Sequence, residues 1–244
     1  MSFFKGPTIV RESLELALDA ASLRSYPGSG TTWYDISGNG SHLTLNSAST
    51  WVSNGAASYM NFESGIAKYL PGGYLTTIPG TTSGTGTICI FSTVKAPDGD
   101  WKTLVRGTPA DPDHQVIIYS NDGISLGMYD NDAGGFQDTG FDMNTLPNYT
   151  SQFNFMVWKF ADISPYYQFY YNNNLSSPQA TLTTSYAAFN SGFSCIGGYH
   201  DGSNSPTVFS QEFGKISVFL YYSKHLTTAE LEQNYNALRG RFGL

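Results

Sequence analysis

Thr85-Gly-Thr-Ile-Cys-Ile-Phe-Ser-Thr-Val-Lys-Ala96 decides the fold. Side chains alternate along a strand, so Ile88, Ile90 and Ser92 point one way and Cys89, Phe91 and Thr93 the other. Both sets are largely apolar. A strand of this kind is central in its sheet and covered on both faces.

Working outward from it, further strand patterns fall at 14–19, 42–45, 58–62, 74–77, 101–106, 115–120, 124–129, 153–161, 166–172, 193–197 and 215–222. They recur about every 8–15 residues with turn chemistry between them, the spacing of a sandwich. Asn39-Gly40 reads as a tight turn and Asn172-Asn173-Asn174 as another. One helix is predicted near the end. Thr227-Thr-Ala-Glu230 is a capping box, and Leu231, Tyr235 and Leu238 follow on one helical face. No linker composition and no internal repeat divides the 244 residues. The reading is one domain over 13–244, with 1–12 as an N-terminal arm or edge strand.

Charge narrows the function. Formal net charge is −7, and all of the excess lies between Asp98 and Asp142, where nine acids face only Lys102 and Arg106. Nucleic-acid binding needs a basic stripe, which is absent, so no nucleic-acid partner is expected. No run of about 18 apolar residues predicts a membrane span, and the first ten residues carry no secretory signal pattern. Cys89 and Cys195 sit in apolar stretches and read as buried free thiols.

Four groups are candidates for ligand chemistry. Trp101, Tyr129, Phe136 and Tyr199 adjoin acidic or Gly-rich loops, the mix of apolar platform and fixed acceptors that sugar sites use. Tyr166 to Tyr171 offer a second aromatic strand, read first as packing and second as a platform. Asp130-Asn-Asp-Ala-Gly-Gly135 has acids at positions 1 and 3 and Gly at 6 of a calcium loop, but Phe141 stands where the bidentate Glu belongs. Asp130 and Asp132 are therefore candidate metal ligands for a calcium that is possible and not required. Asp35 and Asn39 also offer oxygens to a cation, although a tight turn accounts for their spacing. His200 beside Asp201 reads as solvated.

Leu16-Ala-Leu-Asp-Ala-Ala21, Ser25-Tyr-Pro-Gly-Ser-Gly-Thr-Thr-Trp-Tyr-Asp-Ile-Ser-Gly-Asn-Gly40 and Phe213-Gly-Lys-Ile-Ser-Val-Phe-Leu-Tyr-Tyr-Ser-Lys-His-Leu-Thr-Thr-Ala-Glu-Leu-Glu-Gln-Asn-Tyr235 resemble the laminin-G-like branch of the concanavalin A-like lectin/glucanase superfamily. The strand-turn-strand around Phe155 to Asn173 resembles that branch too, with Asn-Asn-Asn replacing its usual Asn-Gly turn. The resemblance runs from about Ser13 to Asn236. With the leading Phe3-Phe-Lys-Gly-Pro7, it is most similar to domains of tailed-phage virion proteins, notably phages of aquatic bacteria.

The resemblance implies an all-β jelly-roll sandwich of two antiparallel sheets with one short C-terminal helix. One sheet is expected to be concave, with ligand sites on its concave face or rim loops. Glucanases of the superfamily carry Glu-x-Asp-x-x-Glu on one strand, so that alternate carboxylates enter one cleft. No such triplet exists here, and no Gly-x-Ser-x-Gly nucleophile does either. The expectation is therefore a non-enzymatic virion component, in capsid decoration or tail, made in the host cytoplasm. Its partners would be other virion proteins and host-surface glycans, held weakly through a homo-oligomer or multicopy array. The rival readings are a structural adaptor without sugar binding and a glycoside hydrolase.

Overall fold

The computed structural model describes residues 7–46, 50–69, 76–81, 84–107, 115–118, 124–130, 134–183, 192–200 and 209–244, with the side chains of 115–118, 200, 209 and 210 excepted. The chain folds into two eight-stranded antiparallel sheets packed face to face, with one α-helix among the described residues.

The inner sheet runs Ala180–Leu182, Tyr167–Tyr171, Asn154–Phe160, Gly86–Val94, Gly214–Tyr222, Tyr59–Asn61, Thr50–Val52, and Leu14–Asp19 also pairs with Gly214–Tyr222. Gly86–Val94 is thus central, and every one of its residues is buried. Ile88 and Ile90 enter the core between the sheets with Trp33, Phe62, Trp158 and Phe169. Cys89 and Phe91 enter a second core on the other side, with Phe155, Val157, Leu220 and Leu231. The two-sided apolar pattern of this strand therefore reports two separate cores.

The second core exists because the helix Thr228–Leu238 lies over the inner sheet. Its capping box forms as the sequence predicts: the Thr227 hydroxyl accepts from the Glu230 amide, and the Glu230 carboxylate accepts from the Thr227 amide. Leu231 is fully buried. Asn234 is also fully buried and acts as a connector: its Oδ1 accepts the Val10 amide at 2.8 Å and its Nδ2 donates to the Tyr222 hydroxyl at 3.1 Å. Gln233 donates to the Thr8 carbonyl. Residues 8–10 are thereby strapped to the helix, while 1–6 lie outside the described residues. Both cysteines are free and buried, and burial pushes the thiols up, Cys89 to about 12 and Cys195 to about 11.

The outer sheet runs Gly135–Asp142, Ser125–Asp130, Gln115–Ile118, Lys102–Arg106, Cys195–Ile196, Ala67–Lys68, Leu43–Leu45, Thr32–Trp33. A separate hairpin pairs Tyr199–His200 with Phe209–Ser210. No helix among the described residues is long and apolar enough to cross a membrane.

Two local expectations change. Asn39-Gly40 does not close a tight hairpin: Trp33 pairs with Leu43 across a loop of nine residues, 34–42. The Asp35 carboxylate organises that loop by accepting from the amides of Ala17, Ser37 and Ser41 and from the Ser37 hydroxyl. Asn39 ties the loop to the carbonyls of Leu14 and Glu15. Both residues offered as cation ligands are engaged in holding backbone. The second change is Gly135–Asp142, an eight-residue edge strand in a stretch to which the sequence reading assigns no strand.

Candidate functional site

Residues directly opposite one another across a sheet project from the same face. Backbone register through strand Gln115–Ile118 therefore lays out a row across the outer sheet: Phe136 and Tyr129 on one side of that strand, and Arg106, Cys195, Lys68, Thr44 and Thr32 on the other. Their chain neighbours Met128, Val105, Ile196, Ala67, Leu43 and Leu45 belong to the core between the sheets. The row consequently lies on the face turned away from that core.

The two halves of this face differ. At one half, the Tyr199 ring covers Arg106, with the guanidinium carbon 4.3 Å from the ring centroid. Arg106 is only 3% exposed and Cys195 not at all. The other half is partly exposed at its rings. There Trp101 stands edge-on to Phe136 at 5.2 Å and to Tyr129 at 5.7 Å, and all three rings are half-buried. Three of the four residues expected to bind ligand are thus gathered into one patch, and Tyr199 sits over the adjoining part of the same face.

Local sequence explains how the patch is held. Trp101 precedes strand Lys102–Arg106, and Lys102 fixes its turn from beneath. The buried Lys102 ammonium pairs with Asp98 and donates to the Asp100 carbonyl. Lys95 pairs with Asp98 as well, at 2.7 Å. Burial would push the Asp98 carboxyl up, but hydrogen bonds from Lys102, Lys95 and the Asp100 amide outweigh it and hold the group well below the usual carboxylate range. Asp100 accepts from the Trp101 amide at 2.8 Å. Across the sheet, Gly127 leaves room for the Phe136 ring: a Cβ there would lie 2.6 Å from that ring and 2.4 Å from the Gln137 carbonyl. Glycine in a strand often marks such close approach.

Asp130 lies on the other side of its strand from Tyr129 and is fully buried. Asp132 lies outside the described residues, as does Asp201, and no side chain is described for His200. Among the described residues, no group of three or more His, Cys, Asp or Glu is placed to hold a metal ion. The aromatic strand Tyr167–Tyr171 is packing: Tyr167 and Phe169 are fully buried in the core between the sheets, and Tyr170 is 5% exposed in the helix-side core.

Sequence reading missed two residues of the site, Asp138 and Gly127. Asp138 is exposed two residues beyond Phe136 on the same strand and pairs with Gly127. The signal was there in the period of two, once 135–142 is read as a strand.

No family model matches the sequence, and no curated protein matches it. Among solved structures, the chain is similar to Trypanosoma rangeli sialidase in complex with sialic acid, at 13% identity and a TM-score of 0.57, covering 94% of this chain and 33% of the sialidase. A mutant of that sialidase displaying trans-sialidase activity matches at 13% identity and a TM-score of 0.55, covering 95% and 34%. The botulinum neurotoxin type G receptor binding domain matches at 15% identity and a TM-score of 0.57, covering 92% and 51%. The chain spans about a third of the sialidases and half of the toxin domain. At these identities the likeness is one of fold. It corrects the expectation of a non-enzymatic chain. Chains that contain this fold include enzymes, and the missing Glu-x-Asp-x-x-Glu pattern speaks to one glucanase chemistry only.

Proposed function

We propose that this chain is a carbohydrate-binding module that seats sugar rings on the patch of Trp101, Tyr129 and Phe136. The observation that carries the reading is the patch itself, three half-buried rings converging on the partly exposed half of an outer sheet face. Sugar C–H faces pack on aromatic faces, and fixed polar groups around them orient hydroxyls. The similarity to a sialidase in complex with sialic acid supports a glycan role, and that to a toxin's receptor binding domain supports a binding role. A shallow patch of three rings gives weak contacts, about millimolar for a single site, and useful adhesion then comes from many copies. The proposed setting, a tailed-phage virion with other virion proteins as neighbours, rests on the sequence resemblance.

The test is a glycan array and titration calorimetry with the isolated chain and a multivalent display of it, with and without calcium. Binding that vanishes in Trp101→Ala supports the site. A calcium dependence lost in Asp132→Ala adds the metal. No binding by the multivalent display sinks the sugar reading and leaves the structural adaptor, which purified particles would reveal by mass spectrometry of their components.

A further inference from the structure

We infer that the sugar seated at this patch is an amino sugar bearing a free ammonium group, and that sugar acids are excluded. This rests on the proposed reading of the patch and narrows its ligand class.

The argument is the placement of charge around the three rings. Asp138 follows Phe136 by two residues on strand Gly135–Asp142, so the pleat puts its carboxylate on the same face. It pairs with Gly127, the position crossed by the Phe136 ring, and is therefore a lateral neighbour of that ring. Asp138 is exposed, and one oxygen accepts the Gly140 amide at 2.8 Å. Asp100, next to Trp101 in the chain, is exposed as well and uses one oxygen on the Trp101 amide. No described residue donates to the second oxygen of either carboxylate. Asp138 thus adjoins the Phe136 ring on the sheet face and Asp100 adjoins Trp101 in the chain, each an exposed carboxylate held by one backbone amide.

The cations nearby do not balance them. Lys102 is fully buried and engaged with Asp98, and Lys95 is divided between Asp98 and Glu212. Arg106 lies beneath Tyr199. The sequence excess of nine acids over two bases between 98 and 142 has the same sign. Such a surface attracts cations and repels anions before contact. The aromatic faces act in the same sense, because the negative face of a Trp or Tyr ring attracts an ammonium group. An amine on a ring stacked at Trp101 gains from both, whereas a carboxylate there is opposed by both.

The experiment uses four oligomers of matched length: glucosamine, glucose, N-acetylglucosamine and galacturonic acid. Affinities are measured by calorimetry on the whole chain. The expected result is tightest binding of the glucosamine oligomer, by about fivefold over the glucose oligomer at low salt, the scale of one or two exposed ion pairs. The advantage shrinks toward onefold as salt approaches about 1 M, where charges are screened beyond roughly 3 Å. The galacturonate oligomer should not bind. The double variant Asp100→Asn/Asp138→Asn should lose the preference and keep binding of the glucose oligomer, while Glu232→Gln on the helix side should change neither. Failure of every oligomer to bind would sink the patch as a sugar site. Equal binding of the glucose and glucosamine oligomers, tighter binding of the acid, or a preference that survives the double variant would overturn the amine inference alone.

Discussion

The strands of the inner sheet carry thirteen aromatic side chains and those of the outer sheet four, and the two sets differ in how they are covered. The inner sheet is sealed on both faces, by the outer sheet on one and by the helix and the 8–10 strap on the other. Its rings, Trp158, Phe155, Phe169 and Tyr221, are not exposed at all. The outer sheet buries one face and leaves part of the other exposed, with Trp101, Tyr129 and Phe136 half-covered. Large rings left partly in water on a fixed sheet are available to a ligand, whereas rings packed on every side are available only to the fold. The same chemistry thus serves cohesion in one sheet and, in the proposed reading, recognition in the other.

This comparison breaks if the sealed positions turn out to be dispensable. Trp158→Ala empties a large volume between the sheets and should cost about 3–5 kcal/mol, read as a large drop in the urea midpoint. Leu231→Ala should cost about 2–4 kcal/mol, because the helix is the lid of the second core. An unchanged midpoint for Leu231→Ala would mean that the helix does not seal the sheet. Thr227→Ala removes the cap alone and should cost about 1 kcal/mol. Trp101→Ala sharpens the comparison from the other side. Its effect on the midpoint should stay within about 0.5 kcal/mol, as for surface changes, while sugar binding is lost.

The smallest effect concerns pH. Burial lowers the His225 pKa from its ordinary 6.5, the hydrogen bond from its Nε2 to the Phe160 carbonyl opposes this, and the Lys159 charge adds to the lowering. The unfolded chain therefore binds a proton at this residue before the folded one does as pH falls. Stability should decline as pH drops below about 6.5, down to the folded value. In His225→Gln that part of the slope should flatten in denaturation curves taken between pH 7 and 5.

The sealed sheet was the legible one. Gly86–Val94 shows its two cores in six consecutive residues, and the helix announces itself by Thr227 and Glu230, because both signals are local. The outer sheet was harder. Gly135–Asp142 is rich in Gly and Asp, which strands disfavour, and it is a strand because Ser125–Asp130 pairs with it. Without that pairing, Asp138 could not be placed beside Phe136. The 34–42 loop misled for a related reason: Asn39-Gly40 is a strong local turn signal, but the Asp35 carboxylate overrides it through four hydrogen bonds, one of them to Ala17 on another strand. Trp101, Tyr129 and Phe136 could be named from composition and neighbouring loops. Their convergence depends on register across four strands, which no short window contains.

The strap at Val10 has a directional consequence. Through Asn234 and Gln233 it is bound to the helix, and Phe242 stacks on Phe91 at 4.5 Å on that same side. The aromatic patch lies beyond both sheets, facing the other way. Sheets stack about 10 Å apart and a helix adds a similar layer, so the rear and front of the molecule are separated by roughly 20 Å. A neighbour that grips residues 8–10 or the helix approaches from the rear and leaves the rings pointing forward. The molecule is thus two-sided, with strap and helix behind and rings in front, and under the proposed reading copies anchored side by side would present their rings as one continuous outward-facing surface.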